Sequence, residues 1–230
     1  IDIDREKCDV CLKCTETCYA KALQPVADMM TAEQVMKTVE QDSQFYRHTG
    51  GGMTVSGGEM LTHARFVAEL IDEAAACGIN VCLDTSGCGS GDDLEALASR
   101  ENVTDILYDM KCIDEEIHRS ATGRSNDIIL ENLRLLASDE TLRAKLQMRM
   151  PLIKGLNDDW SLIERTAELY RELGIKRVTL LPYHSLGLIK EKHLGGEQTE
   201  FEPPEDEYVD RIKSFFEEEC GMEAEILGKL

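Results

Sequence analysis

Residues 80–111 read N-V-C-L-D-T-S-G-C-G-S-G-D-D-L-E-A-L-A-S-R-E-N-V-T-D-I-L-Y-D-M-K and form one complete strand–helix–strand unit. The pattern predicts a strand over residues 80–86, a helix over residues 92–98 and a second strand over residues 105–111. Apolar runs that alternate with amphipathic helices are typical of a parallel sheet. The unit therefore predicts an α/β fold.

The same alternation continues along the chain. Thr31 and Gln34 have the spacing of a capping box that opens a helix ending near residue 45. Further strands are predicted at residues 53–56, 146–153, 177–184 and 223–226, and further helices at residues 63–77, 126–138, 161–173 and 205–220. We favour a closed or partly closed (β/α) barrel over a doubly wound sheet, because polar residues follow strand after strand, where barrel active sites are built.

Polar or glycine-rich segments stand at the ends of several predicted strands. They are Gly57-Gly58-Glu59, Asp84-Thr85-Ser86-Gly87, Asp109-Met110-Lys111, Arg149, and Tyr183-His184. In a barrel these ends meet at one mouth. Their mixture of carboxylates, cations and flexible backbone suits a ligand that carries an amine and a carboxylate. Glu59 is the candidate for the amine, and Arg149 for a bidentate contact with the carboxylate.

Each of these residues also has a structural interpretation. The Gly57-Gly58 pair fits a tight turn between a strand and a helix. Asp84 and Asp109 fit N-caps of the helices that follow them. Lys111 fits a surface residue paired with Asp109, and His184 fits an ordinary loop histidine.

Four cysteines near the start form a C-x2-C-x2-C-x3-C run: Cys8, Cys11, Cys14 and Cys18. This spacing matches the bacterial ferredoxin run that ligates [4Fe–4S] clusters. A structural zinc site is the alternative, although zinc sites usually separate their cysteine pairs by a dozen or more residues. The other cysteines, Cys77, Cys82, Cys88, Cys112 and Cys220, are scattered and are expected to be small buried hydrophobic residues.

The composition excludes some classes of partner. The 230 residues carry a formal net charge of −20, which disfavours nucleic acid and anionic membrane surfaces. No stretch approaches the roughly 20 apolar residues of a membrane span. An acidic chain with a cysteine cluster indicates a reducing, cytoplasmic setting.

The chain resembles the glycyl-radical-enzyme activating enzymes of the radical SAM superfamily. The matching stretches are G-G-G-M-T-V-S-G-G-E, D-T-S-G, Y-D-M-K, H-R-S-A-T-G-R-S-N, P-L-I-K-G-L-N-D and L-L-P-Y-H-S-L-G, which follow one another over most of the chain. The likeness is greatest to the subgroup with a ferredoxin-like insert. It implies a partial (β/α)6 TIM-like barrel over residues 29–230 that lacks its first strand, preceded at residues 1–28 by the C-terminal half of the insert.

The resemblance also implies an activity. Such enzymes bind S-adenosylmethionine (SAM) on a [4Fe–4S] cluster, cleave it reductively, and use the 5′-deoxyadenosyl radical to take hydrogen from a backbone glycine of a glycyl radical enzyme. A flavodoxin or ferredoxin supplies electrons. The insert, and with it Cys8, Cys11, Cys14 and Cys18, is implied to hold an accessory [4Fe–4S] cluster that relays them.

The implied site roles fall on the strand ends. Gly57, Gly58 and Glu59 meet the SAM amine, and Arg149 and His184 contact SAM. Asp84, Thr85 and Asp109 lie around SAM and a monovalent-cation site, with Lys111 near SAM. Lys111 and His184 are also the candidate catalytic residues.

Two departures from the family pattern stand out. The C-x3-C-x2-C motif that holds the SAM-binding cluster is absent, since Lys21 stands where Cys14 and Cys18 would need a third cysteine. We therefore expect the cluster ligands upstream of Ile1, in an N-terminally truncated chain that is inactive alone. In addition, Met60 stands at the position where the family commonly has proline. The alternative functions are a stand-alone iron–sulfur electron-transfer or binding protein on a degenerate barrel, and a zinc-stabilised interaction module.

Overall fold

A computed structural model describes residues 3–25, 27–185 and 200–228 of the chain. Its centre is one parallel six-stranded sheet in which every strand pairs with its neighbour in sequence. The strands are β1 Gly52–Val55, β2 Asn80–Thr85, β3 Val103–Asp109, β4 Leu146–Leu152, β5 Arg177–Pro182 and β6 Glu223–Ile226. This strand order, with helices between the strands, is that of a partial TIM-like barrel and confirms the predicted α/β class.

The described helices connect the strands and precede β1. They are α1 Lys13–Glu16, α2 Ala32–Val39, α3 Ser43–Thr49, α4 Ala64–Ala76, α5 Gly91–Ala98, α6 Glu115–Thr122, α7 Asp127–Ser138, α8 Glu140–Lys145, α9 Trp160–Glu172 and α10 Asp206–Ser214. Short 3-10 turns occupy Glu40–Asp42 and Met60–His63, and a π-helical turn occupies Phe215–Glu219. None of the described helices is long and apolar enough to cross a membrane.

Several predicted helix boundaries were wrong. The capping box at Thr31 and Gln34 is present, but the helix it opens stops at Val39 and resumes as α3. The predicted helix at residues 205–220 ends as an α-helix at Ser214. Helices α6 and α8 were not predicted, because each is short and buries a single side chain, His118 and Leu142 respectively, so neither shows a run of apolar residues.

The two faces of the sheet differ in polarity. Side chains alternate along each strand, so every second residue faces the helices. That face is apolar and fully buried at residues such as Val81, Leu83 and Ile106. The opposite face is polar: the register places Asp109 beside Arg149, Arg149 beside Thr179, and Thr179 beside Glu225. This polar row crosses the last four strands and carries part of the site described next.

Candidate active site

Arg149 is the centre of an ion-pair network between the carboxyl ends of β2 and β3 and the middle of β4, so its predicted place at a strand end was wrong. Its Nη1 atom lies 3.1 Å from Asp84 Oδ2, and its Nε atom lies 3.0 Å from Asp109 Oδ1. Lys111 Nζ lies 3.2 Å from Asp109 Oδ2, and Ser56 Oγ donates to Asp84 Oδ2 at 3.1 Å. The structure therefore brings together the predicted residues Asp84, Asp109, Lys111 and Arg149.

Two atoms of this network have no hydrogen-bond partner among the described residues. They are Asp109 Oδ1 and Arg149 Nε, which are buried and close but not aligned for a hydrogen bond with each other. Buried polar atoms usually have partners, and an unsatisfied one is costly. The two atoms face each other as an ion pair, so the parts of the network that a ligand can reach are the exposed parts of Lys111, Arg149 and the two aspartates.

The structure tests the purely structural interpretations of Asp84, Asp109 and Lys111. Asp84 and Asp109 are not N-caps, because Ser90 caps α5 and Asp114 caps α6. The proposed surface pair of Lys111 with Asp109 does exist, although it belongs to the Arg149 network. The two interpretations of Lys111 are therefore compatible.

Glu59 joins the β1 end to the β2 end. Its Oε1 atom accepts from Thr85 Oγ1 at 2.7 Å and from Leu61 N at 3.1 Å. Its Oε2 atom accepts from Ser86 N at 2.8 Å and from Ser86 Oγ at 2.6 Å. In this arrangement both carboxylate oxygens are engaged with the protein. Its role toward an amine stays a prediction, whereas its role in holding the two loops together is direct.

The glycines of the site differ in what they require. Gly57 has φ +152°, where side chains are strained. Gly58 has no such φ, and a Cβ atom there would meet none of the described residues within 4 Å. Protein packing therefore gives no reason for glycine at position 58, while a close-lying ligand would. Gly87, by contrast, has φ +73°, and a Cβ there would lie 1.8 Å from Tyr108 Oη.

Two buried side chains support the loop after β2 from behind. Burial raises the pKa of Tyr108 far above its usual value, so its hydroxyl stays protonated and donates to Ile129 O at 2.6 Å. Asn132 of α7 donates through Nδ2 to Gly87 O at 2.8 Å and to Gly89 O at 3.0 Å. Sequence reasoning missed Asn132, because it lies in a helix remote in sequence from the loop it holds.

His184 is separate from the network in this structure. It follows β5, is exposed, and lies beside Gly228. No described hydrogen bond or ion pair joins it to Arg149. Ser56 belongs to the network although the sequence analysis assigned it no role, because its hydroxyl donates to Asp84. Its position directly before Gly57 is the sequence signal that could have identified it.

The four cysteines of the N-terminal run are not gathered into a metal site. Cys11 and Cys14 are exposed, Cys8 and Cys18 are half-buried, and no described group of three or more His, Cys, Asp or Glu residues is placed to hold a metal ion. The backbone between the cysteines is unusual, since Val10 has φ +54° and Leu12 has φ +60°. A β-branched residue in this region is strained, and such strain clusters at functional sites. Of the five scattered cysteines, which were all expected to be buried, Cys112 is buried, which raises its pKa. The prediction was wrong for the other four, which are half-buried: Cys77, Cys82, Cys88 and Cys220.

Comparisons with known proteins agree with this architecture. The family model of the radical SAM superfamily matches residues 16–166. The chain is 42% identical over 191 residues to the isethionate sulfite-lyase activating enzyme of Oleidesulfovibrio alaskensis, covering 83% of this chain and 60% of that protein. It is 35% identical over 219 residues to the indoleacetate decarboxylase activating enzyme of Tractidigestivibacter scatoligenes, covering 93% of this chain and 68% of that protein.

A solved structure agrees as well. A domain of the pyruvate-formate lyase-activating enzyme from Bacteroides vulgatus superposes with a TM-score of 0.63 at 27% identity, covering 77% of this chain and 99% of that domain. The chain spans only 60% of the length of the isethionate sulfite-lyase activating enzyme. The superfamily match and these relatives establish that the chain belongs to the radical SAM superfamily and, within it, to the activating enzymes of glycyl radical enzymes.

Proposed function

We propose that this chain provides the SAM-binding barrel of an enzyme that installs a glycyl radical in a partner enzyme. The observation that carries the proposal is the Arg149 network, in which two partly exposed cations, Lys111 and Arg149, stand beside two carboxylates, Asp84 and Asp109, in a radical SAM fold. The methionyl end of SAM bears a carboxylate and an amine, which match these two kinds of group.

The charge of the strand ends fits SAM. Glu59, Asp84 and Asp109 carry three negative charges, and Lys111 and Arg149 carry two positive charges. The set is left with one negative charge. SAM carries a carboxylate, an ammonium and a sulfonium, hence one net positive charge. A site that is only partly exposed favours a ligand of opposite net charge, because solvent screens it less there.

Each residue has a distinct proposed task. Arg149 and Lys111 bind the SAM carboxylate, and the backbone at Gly57 and Gly58 lies along its amine. Glu59 holds the two loops that form this cradle. The remaining contacts are proposed from the family resemblance: Asp84, Thr85 and Asp109 border a monovalent cation, and His184 closes on SAM from the end of β5.

The N-terminal run is proposed to hold an accessory [4Fe–4S] cluster. Its donor set of soft thiolates suits iron–sulfur chemistry, and the strained backbone at Val10 and Leu12 fits a loop shaped by a bound group. We propose residues 1–28 as the cluster segment and residues 29–230 as the barrel. When bound, iron–sulfur clusters supply the one-electron reduction of SAM that leads to hydrogen abstraction from the partner's glycine. The SAM-binding cluster is assigned no ligand here, because these 230 residues contain no C-x3-C-x2-C motif.

The proposed partners are proteins. One is a glycyl radical enzyme, whose glycine loop reaches the mouth of the barrel. The other is a flavodoxin or ferredoxin that reduces the clusters. The relatives are named as activating enzymes for a sulfite-lyase and a decarboxylase, which supports the class of partner.

The test uses the complete gene product, reconstituted anaerobically with iron and sulfide. It is mixed with SAM, a chemical reductant and a candidate glycyl radical enzyme. We expect 5′-deoxyadenosine by chromatography and a glycyl radical signal in the partner by electron paramagnetic resonance (EPR). A partner with alanine in place of its loop glycine is the control and should give no radical. Bound iron without SAM cleavage would contradict the proposal and favour an electron carrier.

A further inference from the structure

One asparagine joins the loops that follow β3 and β4. Asn157 lies between β4 and α9, and only 8% of it is exposed. Its Nδ2 atom donates to Lys111 O at 2.6 Å and to Pro151 O at 2.7 Å. Its Oδ1 atom accepts from Ile153 N at 2.8 Å. A single side chain thus links the end of one strand to two positions at the end of the next.

The partners of Asn157 determine its orientation. Two carbonyl oxygens face one end of the amide, and one backbone N–H faces the other. The reversed amide would set an oxygen against both carbonyl groups and a nitrogen against an N–H. Both hydrogens of Nδ2 are therefore used. A carboxylate of the same shape cannot replace them, because it has no proton to donate.

Asn157 is itself held by its surroundings. The loop that carries it closes on Ile153 O, which accepts from Leu156 N at 3.1 Å and from Asn157 N at 3.4 Å. The next residue, Asp158, is tied to α10, because Tyr208 Oη donates to its carbonyl oxygen at 2.6 Å. A side chain supported in this way can transmit the position of α9 and α10 to the site.

One of the groups that Asn157 joins, the Lys111 carbonyl, belongs to a residue of the Arg149 network. Met110 N donates to Arg149 O at 2.9 Å, and this bond continues the β3–β4 pairing to the strand ends. Lys111 follows directly, and Asn157 holds its carbonyl group. The separation of the Lys111 and Arg149 side chains, which both face the proposed SAM carboxylate, therefore depends on the bridge.

We propose that Asn157 is a positioning residue, which fixes Lys111 relative to Arg149 for binding of the SAM carboxylate. It touches neither the ligand nor the side chains that bind it. That the ligand is SAM rests on the proposed function. That Asn157 holds Lys111 in place rests only on the hydrogen bonds described above.

The matched control is Asn102, at the opposite end of the sheet. Asn102 Nδ2 also donates to two carbonyl groups, Ile71 O at 3.0 Å and Ile79 O at 3.3 Å. Asn157→Asp and Asn102→Asp therefore make the same change in shape and charge and break the same kind of contact. Both should lower the free energy of unfolding. Only the first should disturb the ligand site.

The experiment compares both variants with the parent protein, each as the complete gene product reconstituted with its clusters, in two measurements. The first is hydrogen exchange of the Met110 amide, which needs no ligand. The second is the dissociation constant for SAM by anaerobic calorimetry. For Asn157→Asp we expect SAM binding weakened by roughly tenfold, the usual effect of removing a support behind a ligand contact, and Met110 exchange faster than its lower free energy of unfolding accounts for. For Asn102→Asp we expect unchanged SAM binding and no acceleration of Met110 exchange beyond that from its lower free energy of unfolding.

The outcomes separate the two proposals. If the parent fails to bind SAM, the proposed function is wrong, and Met110 exchange still decides the role of Asn157. If the parent binds SAM and both variants bind it equally well, or if Met110 exchange is the same in both, the positioning role is wrong. Asn157→Ala, which removes the bonds without adding a charge, replaces Asn157→Asp if that variant does not fold, with Asn102→Ala as its control.

Discussion

Arg149 Nε and Asp109 Oδ1 lie 3.0 Å apart on neighbouring strands, yet neither buried atom makes a hydrogen bond in the described structure. The two atoms are held together by electrostatic attraction. Both partners have less than a third of their side-chain surface exposed, so water compensates their charges poorly. The pair therefore fixes the two side chains in place, and only their exposed parts can meet a ligand.

The first prediction concerns Arg149. Arg149→Met leaves Asp84 and Asp109 partly buried without their shared cation, which should lower the free energy of unfolding by about 2 kcal/mol. Denaturant unfolding measures the change. The control is Arg100→Met, because Arg100 pairs with a largely exposed carboxylate, Asp72. That variant should lose less than about 1 kcal/mol. If both variants lose the same free energy of unfolding, the Arg149 network stabilises the fold no more than an exposed ion pair does.

The second prediction concerns Glu59. Glu59→Gln places an amide N–H₂ group where the carboxylate now accepts hydrogen bonds from Thr85, Ser86 and Leu61. We expect a loss of about 2 kcal/mol in the free energy of unfolding. Glu131→Gln, on the exposed side of α7, should stay within about 0.5 kcal/mol of the parent. If Glu59→Gln has the same free energy of unfolding as the parent, this carboxylate does not hold the two loops together.

The third prediction contrasts two buried tyrosines. Tyr170 Oη has no hydrogen-bond partner among the described residues, so Tyr170→Phe should raise the free energy of unfolding by about 1 kcal/mol. Tyr108 Oη donates to Ile129 O, so Tyr108→Phe should lower it by a similar amount. Thermal and denaturant unfolding of the two variants measure whether each change in the free energy of unfolding is positive or negative. The same sign for both variants would contradict the hydrogen-bond assignment.

Tyr170 also predicts a dependence on pH. Burial raises the pKa of this hydroxyl well above the ordinary value, so above pH ~10 the unfolded chain releases a proton that the folded chain retains. The free energy of unfolding then falls as pH rises, by about 1.4 kcal/mol per pH unit for this group. Tyr170→Phe should make the alkaline decline shallower by that amount. An unchanged slope would show that Tyr170 ionises while folded.

The fourth prediction concerns Gly87. Gly87→Ala combines a strained φ of +73° with a Cβ atom 1.8 Å from Tyr108 Oη, and it should cost about 3 kcal/mol or more. Gly78 has a similar φ of +67°, but a Cβ atom at that position would have no protein atom within 4 Å. Gly78→Ala should therefore cost about 1 kcal/mol, from backbone strain alone. If the two variants are equally stable, the loop after β2 is not held against Tyr108.

The sequence predicts the strands better than the helices or the contacts. Strands β2 and β4 are apolar runs at the predicted places, because half of their residues must face the helices. Helices α6 and α8 are short, bury one side chain each and begin at the N-caps Asp114 and Asp139. Their length and polarity are the reason why a search for apolar runs passes over them.

In the candidate site, too, some features can be predicted from the sequence and others cannot. The strand-end positions of Asp84 and Asp109 are predictable, because polar residues at the ends of apolar strands meet at one edge, whereas Arg149 lies in the middle of β4. The pairing of Arg149 with both carboxylates depends on the register of β3 and β4, which short-range patterns do not specify. The bridge through Asn157 depends on the packing of a loop against two strands, so it too appears only in three dimensions.

The central claim is that the strand ends bind SAM, and position 58 tests it most directly. A methyl group at Gly58 meets no atom of the described residues within 4 Å and requires no strained φ, so Gly58→Ala should leave the free energy of unfolding within about 0.5 kcal/mol of the parent. The same methyl group occupies the space proposed for the ligand. The decisive measurement is SAM binding by anaerobic calorimetry, with the complete gene product and its Gly58→Ala variant reconstituted side by side. We predict that the variant binds SAM at least about tenfold more weakly, and equal affinity in two equally stable proteins would contradict the claim.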